Sequence, residues 1–91
     1  MKTLLLYSEE GCPWCANMKE QLKENKIKFI VRDIGRYEKE WESVSKEAKT
    51  EFIPTMCIVN HKEKTKTYLA PDTNFDDIEE GIEKVKKIML S

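Results

Sequence analysis

Two hydrophobic rhythms alternate along this chain. Leu4-Leu5-Leu6-Tyr7 is an unbroken apolar run, too brief for a core helix, that stops at the turn-like Ser8-Glu9-Glu10-Gly11; residues 2–7 are a predicted buried strand. From residue 13 to about residue 25 the spacing changes to threes and fours, placing Cys15, Met18 and Leu22 on one face of a predicted helix. Residues 28–33 form a second strand, and the strand–helix–strand order implies a right-handed parallel crossover. Tyr37, Trp41, Val44 and Ala48 then mark a helix over residues 37–50. Its other faces are almost all Glu, Lys and Ser, so it covers the sheet from one side only. Phe52-Ile53-Pro54-Thr55 breaks it. Residues 56–60 and 65–70 are strands whose short link, residues 61–64, suits an antiparallel hairpin. After Pro71-Asp72, Thr73 with Asp76, or Asn74 with Asp77, can cap a last helix carrying Phe75, Ile78, Ile82, Val85 and Met89. The order is β-α-β-α-β-β-α. An α/β fold with a four-stranded mixed sheet, flanked on both faces by its three helices, buries all three stripes.

Length and charge narrow the function. The 91 residues suffice for a single domain with one core. A charged fraction of 36% against 40% hydrophobic fits a soluble globule with a charged exterior. The net charge of −1, with acids and bases interspersed, gives no footprint for nucleic acid or an anionic membrane. The first apolar run is too short for a signal-peptide core and every run falls far below a membrane span. A cytoplasmic monomer is the expectation, in a compartment where thiols are kept reduced. The odd number of cysteines, three, agrees with that and argues against a disulfide framework.

The chemistry concentrates in Gly11-Cys12-Pro13-Trp14-Cys15, at the junction of the first strand and first helix. A C-x-x-C placed there reads as a redox dithiol. Cys12 would occupy the helix N-cap, where unpaired backbone N–H groups and the positive end of the helix dipole favour a thiolate. Glu9 and Glu10 oppose this, but exposed carboxylates are screened by water and salt, so the helix terms should dominate. Pro13 suits the first helical position because its missing N–H would have no partner there. Cys15 lies one turn on, within disulfide reach. A reactive outer sulfur and a shielded resolving sulfur are expected. Trp14 is either an exposed spacer or an aromatic contact for a substrate, and the sequence weights the two equally.

That element order, the C-P-W-C, and a proline just before the third strand together resemble the thioredoxin superfamily, and the compact length resembles its glutaredoxin branch. The resemblance spans essentially the whole chain. It implies a thioredoxin fold, with Cys12 as attacking thiolate, Cys15 as resolving thiol and a redox-active Cys12–Cys15 disulfide. It also implies Pro54 as a cis-proline facing that disulfide, with the Ile53 backbone available to an extended substrate. Asp76-Asp77 match the acidic pair that opens the family's last helix. Pro13, Trp14, Ile53, Pro54, Asp76 and Asp77 are the substrate-binding candidates. Three departures stand out. Glu9 and Glu10 occupy a region where glutaredoxins often carry a lysine, and Thr73-Asn74 replace a Gly-Gly. Ile53-Pro54-Thr55 looks more like thioredoxin, although Leu6 stands where thioredoxin buries an acid.

The implied activity is enzymatic thiol–disulfide exchange on protein or glutathione mixed disulfides, with no tightly bound cofactor and glutathione as reductant. The partners would be glutathione and disulfide-containing client proteins. The alternative is a redoxin recharged by a thioredoxin-type reductase, serving ribonucleotide reductase or a similar enzyme. Two rival classes are non-catalytic: an adaptor, which an intact C-P-W-C disfavours, and a zinc module. Cys12, Cys15, Cys57 and His61 make a set zinc accepts. In the predicted fold, however, His61 lies about 13 Å along a strand from Cys57, and no metal site is expected. Cys57 is expected as a small apolar strand residue, and Trp41, Tyr37 and Phe52 as core or core-edge residues.

Overall fold

A computed structural model describes residues 1–71 and 73–90. Its elements run β1 (Lys2–Ser8), α1 (Pro13–Glu24), β2 (Ile30–Asp33), α2 (Glu38–Ala48), β3 (Thr55–Asn60), β4 (Thr65–Leu69) and α3 (Ile78–Met89). The sheet order is β2-β1-β3-β4. β1 pairs in parallel with β2 and antiparallel with β3, and β3 pairs antiparallel with β4. The expected order and mixed sheet are both present. No helix among the described residues is long and apolar enough to cross a membrane.

Alternation along β1 and β3 divides the core. Leu4 and Leu6 on β1, with Met56 and Ile58 on β3, face α1 and α3, meeting Met18 and Leu22 from one and Ile78, Ile82 and Val85 from the other. Leu5, Tyr7, Cys57 and Val59 face the opposite way, toward Trp41 and Val44 of α2. The first layer is the larger. Its helices approach closely at Gly81, where an added Cβ would come within 3.1 Å of the Met18 Cε and 3.2 Å of the Phe75 ring. On the second face Tyr7 stacks on Trp41 at 5.8 Å between ring centroids, and the Tyr68 hydroxyl donates to Glu47 Oε2. Arg32 pairs with Glu40 at 3.3 Å and lies over the Tyr37 ring, so Tyr37 sits at the rim of this face.

Element boundaries shift from the expected ones for identifiable reasons. β2 loses residues 28 and 29 because the ladder with β1 runs only from Leu5↔Ile30 to Ser8↔Asp33. α2 stops at Ala48, where Lys49 turns left-handed with φ 57° and closes the helix. The larger correction concerns α3. Neither Thr73 nor Asn74 caps it. Asn74 Oδ1 instead accepts the Ala70 N–H at 2.8 Å, closing the preceding loop, and Asp77 caps α3 by accepting the Glu80 N–H at 2.8 Å. Phe75 therefore precedes the helix, although it is buried in the main core. Asp72 of the expected turn lies outside the described residues.

The edge strand β2 leaves Val31 40% exposed, whereas Leu6 on the central strand is fully buried. Leu6→Ala should therefore cost about 2–5 kcal/mol, the range for truncating a buried leucine. Val31→Ala should stay within about 0.5 kcal/mol. Urea unfolding of the two variants checks the contrast.

Candidate active site

β1 ends at Ser8, and the turn through Glu9 and Glu10 delivers the chain to α1. Gly11 adopts φ 86°, a left-handed conformation that side chains resist, and lets the turn close with the Cys12 N–H donating to the Glu9 carbonyl at 3.3 Å. Cys12 then has extended backbone at the N-cap of α1, as expected, and Pro13 occupies the first helical position. The Cys12 Sγ accepts the backbone N–H of Cys15 at 3.2 Å. A sulfur thus takes the place that a Ser or Asp oxygen usually fills at a helix start.

The two sulfurs sit in different surroundings. Cys12 is partly accessible, whereas Cys15 is only 1% exposed, facing inward with Met18 and Leu22 on the same side of α1. Burial pushes the Cys15 thiol up to about 12, and its bond and proximity to Cys12 add to the rise; the Glu9 backbone and the Lys19 charge work against it. The proton on Cys15 is held firmly while Cys12 is a free thiol or thiolate.

Beside the dithiol lies an open groove of about 340 Å³, lined by Trp14, Phe52, Ile53, Pro71 and Asp76. Trp14 is 44% exposed and Phe52 59%. The Ile53–Pro54 peptide bond is cis and the Pro54 ring is buried. Of the residues singled out in the sequence, Trp14, Ile53 and Asp76 meet in this groove. Pro13 does not line it, and the Asp77 side chain is committed to capping α3. Phe52 is a correction: it is a wall of the groove, not a core residue. Thr50 Oγ1 accepts its N–H at 3.1 Å and Thr55 Oγ1 donates to its carbonyl at 2.7 Å, pinning its backbone. An aromatic residue next to Ile53-Pro54, with Thr50 and Thr55 on either side, was the available signal.

Cys57 takes no part. It is buried on the α2 face of the sheet beside Tyr7 and Val44, across the sheet from α1. Burial pushes its thiol up to about 11. His61 Nε2 lies 2.7 Å from Thr3 Oγ1 at the hairpin end of β3, the end opposite the dithiol. Among the described residues, no group of three or more His, Cys, Asp or Glu could hold a metal ion.

A four-stranded mixed sheet of this order, flanked by three helices with a C-x-x-C opening the first, defines a thioredoxin fold. Solved structures agree on the fold. The chain superposes on the thioredoxin-like protein BC3987, studied as a mutant, with a TM-score of 0.62 at 18% identity, covering 96% of this chain and 99% of that one. It superposes on a thioredoxin from Thermus thermophilus with a TM-score of 0.58 at 12% identity, covering 98% and 74%. Within that fold the chain belongs to the glutaredoxin family, whose model matches residues 4–59. It is also 34% identical, over 53 residues, to an uncharacterised glutaredoxin-like 8.6 kDa protein of a rubredoxin operon in Clostridium pasteurianum, covering 58% of this chain and 71% of that protein.

The raised Cys15 and Cys57 values predict an alkaline weakness of the reduced protein. Unfolding returns both thiols to the ordinary range near 8.5. Above that pH the unfolded chain binds fewer protons than the folded one, so stability falls as pH rises toward 11–12. Urea midpoints should hold steady up to about pH 8 and then decline. A midpoint that is flat to pH 11 would contradict the assigned burial.

Proposed function

We propose that this protein is a thiol–disulfide oxidoreductase that reduces protein or glutathione mixed disulfides through Cys12 and Cys15. The single observation that carries this reading is the asymmetry of the two sulfurs: one at a helix N-cap facing solvent, the other buried one turn behind it. In the first step the Cys12 thiolate attacks a substrate disulfide, forming a mixed disulfide and releasing one substrate thiolate, which takes a proton from water. The Cys15 thiol then gives its proton to water and attacks Cys12. The Cys12–Cys15 bond forms, the second substrate thiolate leaves, and two electrons have passed to the substrate.

Burial holds the Cys15 proton and the proximity of Cys12 adds to that hold, which supports Cys12 as the group that attacks first. Trp14, Ile53 and Asp76 line the groove where a substrate would lie, and the Ile53 backbone is offered as its pairing edge.

Glutathione is proposed as the reductant: two molecules convert the Cys12–Cys15 disulfide back to the dithiol and leave as glutathione disulfide. A thioredoxin-type reductase is the second reading. The exposed Glu9 and Glu10 favour it, because they flank the dithiol where an anionic tripeptide would approach. The proposed setting is the cytoplasm, whose reducing thiol pool keeps such a couple cycling.

Titration of the protein in glutathione buffers, with thiols trapped for mass, tests the reading. A reversible two-electron Cys12–Cys15 couple is expected, with Cys15→Ser accumulating glutathionylated Cys12 and Cys12→Ser inert. Cycling with dithiothreitol but not with glutathione would transfer the reductant role to a reductase. No disulfide under either reagent would refute the redox function.

A further inference from the structure

Beneath the near-zero net charge, several carboxylates gather near the dithiol. β1, β2 and β4 end, and β3, α1 and α3 begin, at the dithiol end of the sheet. That end presents Glu9 and Glu10 in the turn before Cys12, Glu51 just before the Phe52 wall, and Asp76 in the groove, all exposed. Glu79 and Glu80 follow in the first turn of α3. Lys19, Arg36, Lys39, Lys46, Lys49 and Lys84 are the opposing charges there, Lys46 and Lys49 beside Glu51 and Phe52 and Lys84 bonded to the Asn74 carbonyl. At the other end, Lys23, Lys26 and Lys28 leave α1, Lys62 and Lys64 occupy the hairpin, and Lys86 and Lys87 end α3, against Glu24, Glu63 and Glu83. Acids placed first and bases last along α3 also suit its helix dipole, but Glu9, Glu10 and Glu51 lie outside any helix and that explanation does not reach them.

The groove itself is apolar where it meets the dithiol. Trp14 and Phe52 stand as two exposed aromatic walls with Ile53 and Pro71 between them. An apolar channel with carboxylates on its rim favours an apolar residue accompanied by positive charge.

We infer that the groove between Trp14 and Phe52 receives a cationic polypeptide segment, in which an apolar side chain next to the target cysteine fills the groove and flanking Lys or Arg residues meet Glu9, Glu10, Glu51 and Asp76. This deepens the proposed function, on which it rests, by naming the client's chemistry. Attack by Cys12 on the segment's disulfide, and resolution by Cys15, follow the steps given above. The rim acts on encounter and orientation, so its effect falls on the rate of mixed-disulfide formation and weakens as salt shortens the screening length.

The test uses the full chain with Trp41→Phe, leaving Trp14 as the fluorescence reporter, and two peptide disulfides of equal length and apolar content. One carries lysines around the cysteine and the other glutamates. Reduced protein is mixed with each in single turnover, and each rate is divided by that peptide's rate with dithiothreitol. At about 20 mM salt the lysine peptide should react roughly tenfold faster or more, a steering effect of ordinary size, and the gap should close at about 0.5 M. The triple variant E9K/E10K/E51K should abolish or invert the order of the two normalised rates. Equal normalised rates, a preference for the glutamate peptide, or no response to charge reversal would overturn the inference while the redox function stands. If neither peptide is reduced, the redox reading fails and the groove is judged by binding of the Cys→Ser peptides. Salt-sensitive Trp14 quenching by the lysine peptide alone would support the inference; equal or absent quenching would overturn it.

Discussion

The structure depends on the burial of one face of α1. Cys15, Met18 and Leu22 are each essentially removed from solvent, and Met18 and Leu22 pack against the sheet and α3. A fully buried side chain of the Leu or Met kind contributes about 1.5–3 kcal/mol, so α1 cannot rotate or slide without losing several such increments. Its N-terminus is thereby fixed at the end of β1, and with it the position of Cys12. The same packing that stabilises the helix shields the second sulfur. Fold and reactivity share one cause: Cys15 is a core residue that happens to be a thiol.

The two faces of the sheet serve different ends. The α1/α3 face is tightly packed and rigid enough to hold Gly81 against Met18 and Phe75. The α2 face is smaller and more polar, joined by the Tyr7–Trp41 stack, the Tyr68–Glu47 bond and the Arg32–Glu40 pair. Burial, with the Glu40 carboxylate adding to it, holds the Tyr7 hydroxyl firmly protonated. α2 acts as a cover that secures the far side of the central strands. Cys57 belongs to that cover, and its high thiol value follows from the same exclusion of water.

Around the dithiol, local and distant parts of the chain divide the work. The turn and helix start from one segment supply the sulfurs and their hydrogen bond. Ile53, Phe52, Pro71 and Asp76, from two later loops, supply the groove. Because these loops hang from the ends of paired strands, the ladder register that joins Tyr7 to Thr55, and Met56 to Leu69, sets the distance between groove and sulfur. The loops that line the groove can vary without disturbing the helix that carries the two cysteines.

Periodicity determined the elements, their order and the two-faced sheet, because a strand of period two and a helix of period 3.6 leave different apolar marks. The dithiol was equally legible, since its chemistry needs only three consecutive facts: a strand end, an N-cap and a turn of helix. Phe52 and the start of α3 were not. An aromatic residue beside a strand looks like core until the fold shows that Thr50 and Thr55 hold its backbone with the ring turned outward. Thr73, Asn74 and Asp77 all have capping chemistry, and only the closure of the loop at Ala70 decided that Asn74 was already spent and Asp77 free to cap. The charges around the groove were invisible for a related reason. Acids and bases interleave along the chain, and which of them lie near the groove follows only from the way the strands and helices bring their ends together.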